Sequence, residues 1–74
     1  MYLCDIPVGQ RVKVVAVNTP KEIKKRLADL GLCIGTEVTV IRFAPFNDPI
    51  ELYLRGFYLG IRRKDAEKIL VEKI

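Results

Sequence analysis

Residues 26–40, RLADLGLCIGTEVTV, change periodicity midway, which fixes where a helix must end and where a strand must begin. Ile23, Leu27 and Leu30 stand at i, i+4 and i+7, the spacing of one helical face, whereas Val38 and Val40 alternate as a half-buried strand does. Gly31 lies between the two patterns. A residue without a Cβ closes a helix by entering the left-handed conformation. With Gly31 at that C′ position, Leu32 becomes C″ and Leu27 becomes C3, the apolar pair of a Schellman ending. Gly35-Thr36 adds a second turn signal just ahead of the strand. A strand–helix–turn–strand unit around this segment organises the chain.

The start of the helix is marked by Thr19-Pro20-Lys21-Glu22. Threonine at N-cap, proline at N1 and Glu22 at N3 make a capping box. Before it, residues 10–17 alternate with Val12 and Val14 inward, and the run Val14-Val15-Ala16-Val17 predicts a bulge or full burial near the strand's end. Leu3 and Ile6 form one apolar turn ahead of the breaker Pro7-Val8-Gly9. After the helix come a strand over residues 37–43 and a loop over 44–49, where two prolines and Asn47-Asp48 cannot sustain a ladder. Residues 50–55 alternate with Ile50, Leu52 and Leu54 inward. Gly56-Phe57 reads as a type II′ hairpin tip, and residues 58–62 return with Leu59 and Ile61 inward. A polar turn over 63–68, with one helical turn starting near Asp65, precedes a last strand at Ile69-Leu70-Val71.

Seventy-four residues make one domain, residues 1–74. A chain this short buries only about 60% of its unfolded surface. Five short strands and one helix achieve most by curling into a small, partly open barrel, mainly β, which shelters both sheet edges. Cys4 and Cys33 read as free thiols that pack as small hydrophobes. No apolar run approaches the ~20 residues of a membrane-spanning helix, and MYLCDIPVG lacks the features of a signal peptide, so the expected location is cytoplasmic.

The side-chain inventory argues against catalysis. The chain has no histidine and no serine, so the commonest general base, the commonest metal ligand and the serine nucleophile are all missing. Two distant thiols and scattered carboxylates fall short of a four-ligand metal site, and no phosphate-cradling loop is present. Neither an enzyme nor a bound cofactor is expected. What remains is surface. The net charge is +4, and its densest cluster is Lys21, Lys24, Lys25 and Arg26 on the helix, with Asp29 near its end. Such a patch suits an acidic partner. Phe46, in Ala44-Pro45-Phe46, either caps one end of the barrel or stands out as an anchor for a partner. Arg55, Tyr58, Arg62 and Arg63 group around the hairpin and admit a nucleic-acid reading, although aromatics and cations do not interleave regularly on one face. Peptide binding in an aromatic groove is the weakest alternative, since the chain has no tryptophan.

The stretches PVGQRVKVVAV, RLADLGLCIGTEVTVIR, APFNDPIELYLRG and LGIRRKDAEKILVE, in that order, resemble the FeoA family of ferrous iron uptake. The resemblance implies an SH3-like β-barrel with one helix inserted after the first strand. It also implies an accessory role beside FeoB, a membrane transporter with a cytosolic GTPase domain, and recruitment to the inner face of the cell membrane. The same domain ends iron-dependent repressors, so a stand-alone relative of that repressor domain is the alternative. The expected contacts are the helix residues Lys21, Lys24, Lys25, Arg26 and Asp29 and the loop residues Ala44, Pro45 and Phe46.

Overall fold

A computed structural model describes all 74 residues, 1–74. Its strands are β1 (Arg11–Val17), β2 (Glu37–Phe43), β3 (Ile50–Leu54), β4 (Phe57–Ile61) and β5 (Ile69–Lys73). Helix α1 (Lys21–Asp29) follows β1, and the one-turn helix α2 (Arg63–Ala66) joins β4 to β5. All strand pairs are antiparallel, in the order β4-β3-β2-β1-β5. Inward residues of all five strands meet in a single core, with Val12, Val14, Val38, Val40, Ile50, Leu52, Leu54, Ile61, Ile69 and Val71 buried and Leu59 of β4 half-buried against them. One core shared by all five strands requires the sheet to curl. Burying each aliphatic side chain contributes roughly 1.5–3 kcal/mol.

Two bulges give the curvature. Val14 and Ala16 pair with consecutive β5 residues Val71 and Leu70, leaving Val15 extra. Val40 and Arg42 likewise pair with Leu52 and Glu51, leaving Ile41 extra. An inserted residue bends its strand and increases the local twist. Of the two readings of the crowded valines, the bulge holds and full burial does not, since Val15 and Ala16 are half-buried; the second bulge had no sequence signal.

The end of α1 forms as its spacing dictates. Leu32 N donates to Leu27 O at 2.8 Å and Gly31 N to Ala28 O at 2.9 Å, with Gly31 at φ +94°. These are the two bonds of a Schellman motif, and Leu27 and Leu32 both enter the core. The start of α1 differs from expectation. Pro20, not Thr19, is the N-cap, its carbonyl accepting from Lys24 N at 2.9 Å, and no side chain caps the helix. Thr19 is buried and its Oγ1 has no partner, because the chain entering from β1 sends this hydroxyl inward instead of along the helix axis. The apolar stripe is also narrower than its spacing implies: Leu27 is buried, Ile23 half-buried, and Leu30 exposed.

The hairpin turn is shifted by one residue. Leu54 pairs with Phe57, so the two-residue loop is Arg55-Gly56, at φ +47° and +88°. Two consecutive positive φ values make it type I′, the turn whose twist matches the flanking strands, not the type II′ turn expected at Gly56-Phe57. Helix α2 begins at Arg63, two residues before Asp65, and Asp48 Oδ1 from the β2–β3 loop accepts its first N–H at 3.1 Å. At the N-terminus Met1 and Tyr2 cover the outer edge of β5, with Tyr2 bridged to Leu70 and Val71 N donating to Met1 O at 2.7 Å, and a 3-10 turn at Leu3–Asp5 follows.

Candidate protein-interaction surface

Helix α1 has a concavity on each flank. On one side Lys24 and Ala28 join Val17, Leu32, Cys33 and Ile34 around an apolar pocket of about 240 Å³. Ile34 stands at its rim, 63% exposed. The loop that forms this wall is held by polar bonds. Thr36 Oγ1, buried, donates to Gly31 O at 2.8 Å and accepts from Cys33 N at 3.3 Å. Arg55 reaches over from the hairpin, giving Nε to Gly31 O at 3.1 Å and an Nη to Thr36 Oγ1 at 3.3 Å. The pocket is therefore preformed, the usual condition for a docking cavity.

On the other flank Ile23 and Arg26 face Arg62, Lys64, Asp65 and Lys68 across a cleft of about 230 Å³. The four cations have no ion pair; the ion pairs of the molecule are Arg11–Glu37, Arg42–Glu51 and Arg63–Glu67. Sequence spacing gave no sign that Arg26 and Arg62 would share a cleft, because α1 and the end of β4 are brought together only by the curl of the sheet. Lys21, Lys25 and Asp29 lie exposed between the two flanks. The expected helix patch thus divides: Lys24 borders the apolar pocket, Arg26 the basic cleft, and the others face solvent.

The second expected contact is the β2–β3 loop. Ala44 is buried and belongs to the base of the loop. Its N–H is tied to Pro49 O at 3.0 Å and its carbonyl accepts from Asn47 N at 2.8 Å. Pro45 is exposed, and Phe46 is 99% exposed at φ +65°. The reading of Phe46 as a cap on the barrel is thereby overturned; the tied loop presents the ring entirely to solvent. Left-handed backbone is rare for a bulky residue, and such strain clusters at functional positions. The hairpin group separates. Arg55 is a structural latch, Arg63 pairs with Glu67, Arg62 lines the cleft, and Tyr58 packs edge-on against Tyr53 with ring centroids 5.1 Å apart.

Both thiols are free. Burial, and after it the Asp5 carboxylate 3.7 Å away, raise the Cys4 thiol above its ordinary range, which makes it a poor nucleophile and a poor ligand at neutral pH. No three Cys, Asp or Glu side chains come together as a metal ion would need. No helix is long and apolar enough to cross a membrane.

Five antiparallel strands curled around one core, with a helix set in after the first, define the SH3-like class of small barrel. This description also applies to the FeoA of Stenotrophomonas maltophilia, solved in complex with zinc and called an SH3 domain protein. The two share 24% identity and a TM-score of 0.82 over 97% of this chain and 89% of that one, a likeness of fold alone. The FeoA domain model matches residues 1–73, and the chain belongs to the FeoA family. The solution structure of the FeoA protein from Chlorobium tepidum is 40% identical, with a TM-score of 0.96 over all of this chain and 70% of that one. The Fe(2+) transport protein A/Fe(2+) transporter FeoB fusion protein of Porphyromonas gingivalis is 32% identical over 74 residues, and this chain spans 9% of its length. The family is thus linked to ferrous iron transport.

Proposed function

We propose that this chain is a cytoplasmic accessory or regulatory protein of ferrous iron uptake, acting by protein–protein contact with the cytosolic part of a FeoB-type GTPase transporter. The observation that carries the reading is the fused relative, in which the two names belong to one polypeptide. Tethering raises the effective concentration of one module at the other, which benefits a pair that works in contact. The geometry supports the same conclusion. The chain offers a preformed apolar pocket beside Lys24, a projecting Phe46 and an excess of cations. An exposed aromatic held on a rigid loop is the kind of anchor that dominates interface energetics. Ferrous iron is cargo of the transporter in this reading, and the barrel itself holds none.

The test is ferrous iron uptake by cells that carry the transporter and lack this chain. Restoration by the wild-type chain, and not by a folded Phe46→Ala, Lys24→Glu double variant, is the expected result. Equal restoration by both would remove these contacts from the account.

A further inference from the structure

The outer edge of β4 is the one sheet edge left open. The far edge, on β5, is covered by Met1 and Tyr2, whereas β4 pairs with β3 alone. Proteins usually blunt an open edge with charge, proline or a bulge. Strand β4, Phe-Tyr-Leu-Gly-Ile, has none of these, and its register with β3 runs without a shift from Leu54↔Phe57 to Ile50↔Ile61. In a two-residue hairpin the residues flanking the turn are a hydrogen-bonded pair and the next pair is not. Phe57, Leu59 and Ile61 therefore aim their backbone groups at β3, and Tyr58 and Gly60 aim theirs outward.

This edge borders a groove of about 210 Å³, with Leu27 and Leu30 of α1 on one wall and Leu59 and Gly60 on the other. The groove explains why Leu30, on the apolar stripe of α1, is left exposed: its neighbour is the space beside β4. Arg26, Arg62 and Asp65 line this groove and the adjoining basic cleft alike, and the cleft adds Lys64 and Lys68. Four cations without an ion pair against one carboxylate make the whole channel positive.

We infer that the β4 edge accepts an extended acidic peptide segment as a sixth strand. An added strand lies about 4.8 Å from β4, bonds to the outward groups of Tyr58 and Gly60, and alternates its side chains between two faces. Aliphatic side chains on the groove face pack against Leu30 and Leu59, and the segment's carboxylates lie in the positive field of Arg26 and Arg62 along the same groove. A second copy of this chain fits poorly, since it would bring two sets of these cations together. The inference goes beyond the proposed function, using a different surface and no particular transporter.

The probe is a fluorescein-labelled peptide, Asp-Val-Glu-Val-Asp-Leu-Glu, read by anisotropy against the isolated chain, with Lys-Val-Lys-Val-Lys-Leu-Lys as control. Saturable binding of the acidic peptide, at least about tenfold tighter than the control, is expected. Gly60→Pro removes an outward N–H without breaking a β3–β4 bond, and Arg62→Glu reverses a flanking charge; each is expected to weaken binding by about tenfold or more. Should Gly60→Pro perturb the fold, amide exchange on the wild-type chain gives the same answer, with the Tyr58 and Gly60 N–H groups slowed by peptide. Absence of saturation, equal binding of both peptides, or protection of other amides would overturn the inference. So would protection of Tyr58 and Gly60 by self-association without peptide, which would make a second copy the occupant.

Discussion

Arg55, at the tip of the β3–β4 hairpin, lies across the backbone of Gly31, at the end of α1, with its Nε 3.1 Å from the Gly31 carbonyl oxygen. A Cβ built on Gly31 would stand 2.8 Å from Arg55 Cδ. The glycine thus answers two demands, a left-handed φ of +94° and room for the guanidinium stem. A cation also suits the negative end of a helix. Gly31→Ala is expected to cost about 1–3 kcal/mol in urea unfolding, from strained backbone and a displaced latch. Arg55→Ala is expected to cost about 0.5–1.5 kcal/mol, the net worth of exposed hydrogen bonds. An unchanged midpoint for Gly31→Ala would contradict this.

Two buried threonines should behave oppositely. Thr36 Oγ1 satisfies the Gly31 carbonyl, the Cys33 N–H and Arg55, so Thr36→Val strands partners and is expected to destabilise by about 1–3 kcal/mol. Thr19 Oγ1 has no partner, and Thr19→Val, which removes an unmatched polar atom, should leave stability unchanged or raise it by about 1 kcal/mol. Parallel denaturation curves separate the two, and equal losses would show the contrast to be wrong.

Phe46 sits in left-handed backbone with a fully exposed ring. Phe46→Gly should relieve strain and raise stability by about 1 kcal/mol while weakening partner binding. A loss of stability would mean that the ring packs against the chain.

For Cys4 the pH dependence has a definite sign. Burial first, then Asp5, raise its thiol above its ordinary range. The native chain holds this proton where the unfolded chain begins to release it. The resulting stability is complete below the unfolded value and declines as pH rises through the native one. In iodoacetamide alkylation, the Cys4 rate should climb at higher pH in native than in urea-unfolded protein, and Asp5→Asn should recover part of the difference. Coincident profiles would refute the shielding.

Local chemistry was legible in several stretches. The Gly31 ending of α1, the inward aliphatics of β3 and the crowded valines at the β1 bulge all follow from spacing. The errors arise where distant parts meet. Thr19 has the residue type of an N-cap, yet the path out of β1 buries it and leaves Pro20 at the helix start. Arg55 takes positive φ in the turn while its side chain is latched to Gly31, a long-range contact that periodicity does not encode. The curl that places Arg26 beside Arg62, and leaves Leu30 facing the β4 edge, depends on strand order. The helix patch was visible as charge, but its division between an apolar pocket and a basic cleft was not.

The central claim is that this barrel works by docking on the transporter through the Lys24 side of α1 and the Phe46 loop. Isothermal titration of the chain into the purified cytosolic GTPase domain of the FeoB-type transporter from the same organism tests it most directly. The account predicts saturable one-to-one binding that Phe46→Ala and Lys24→Glu each weaken by about tenfold or more, the effect expected of anchor residues. No measurable binding heat with folded proteins, or binding indifferent to both substitutions, would contradict it.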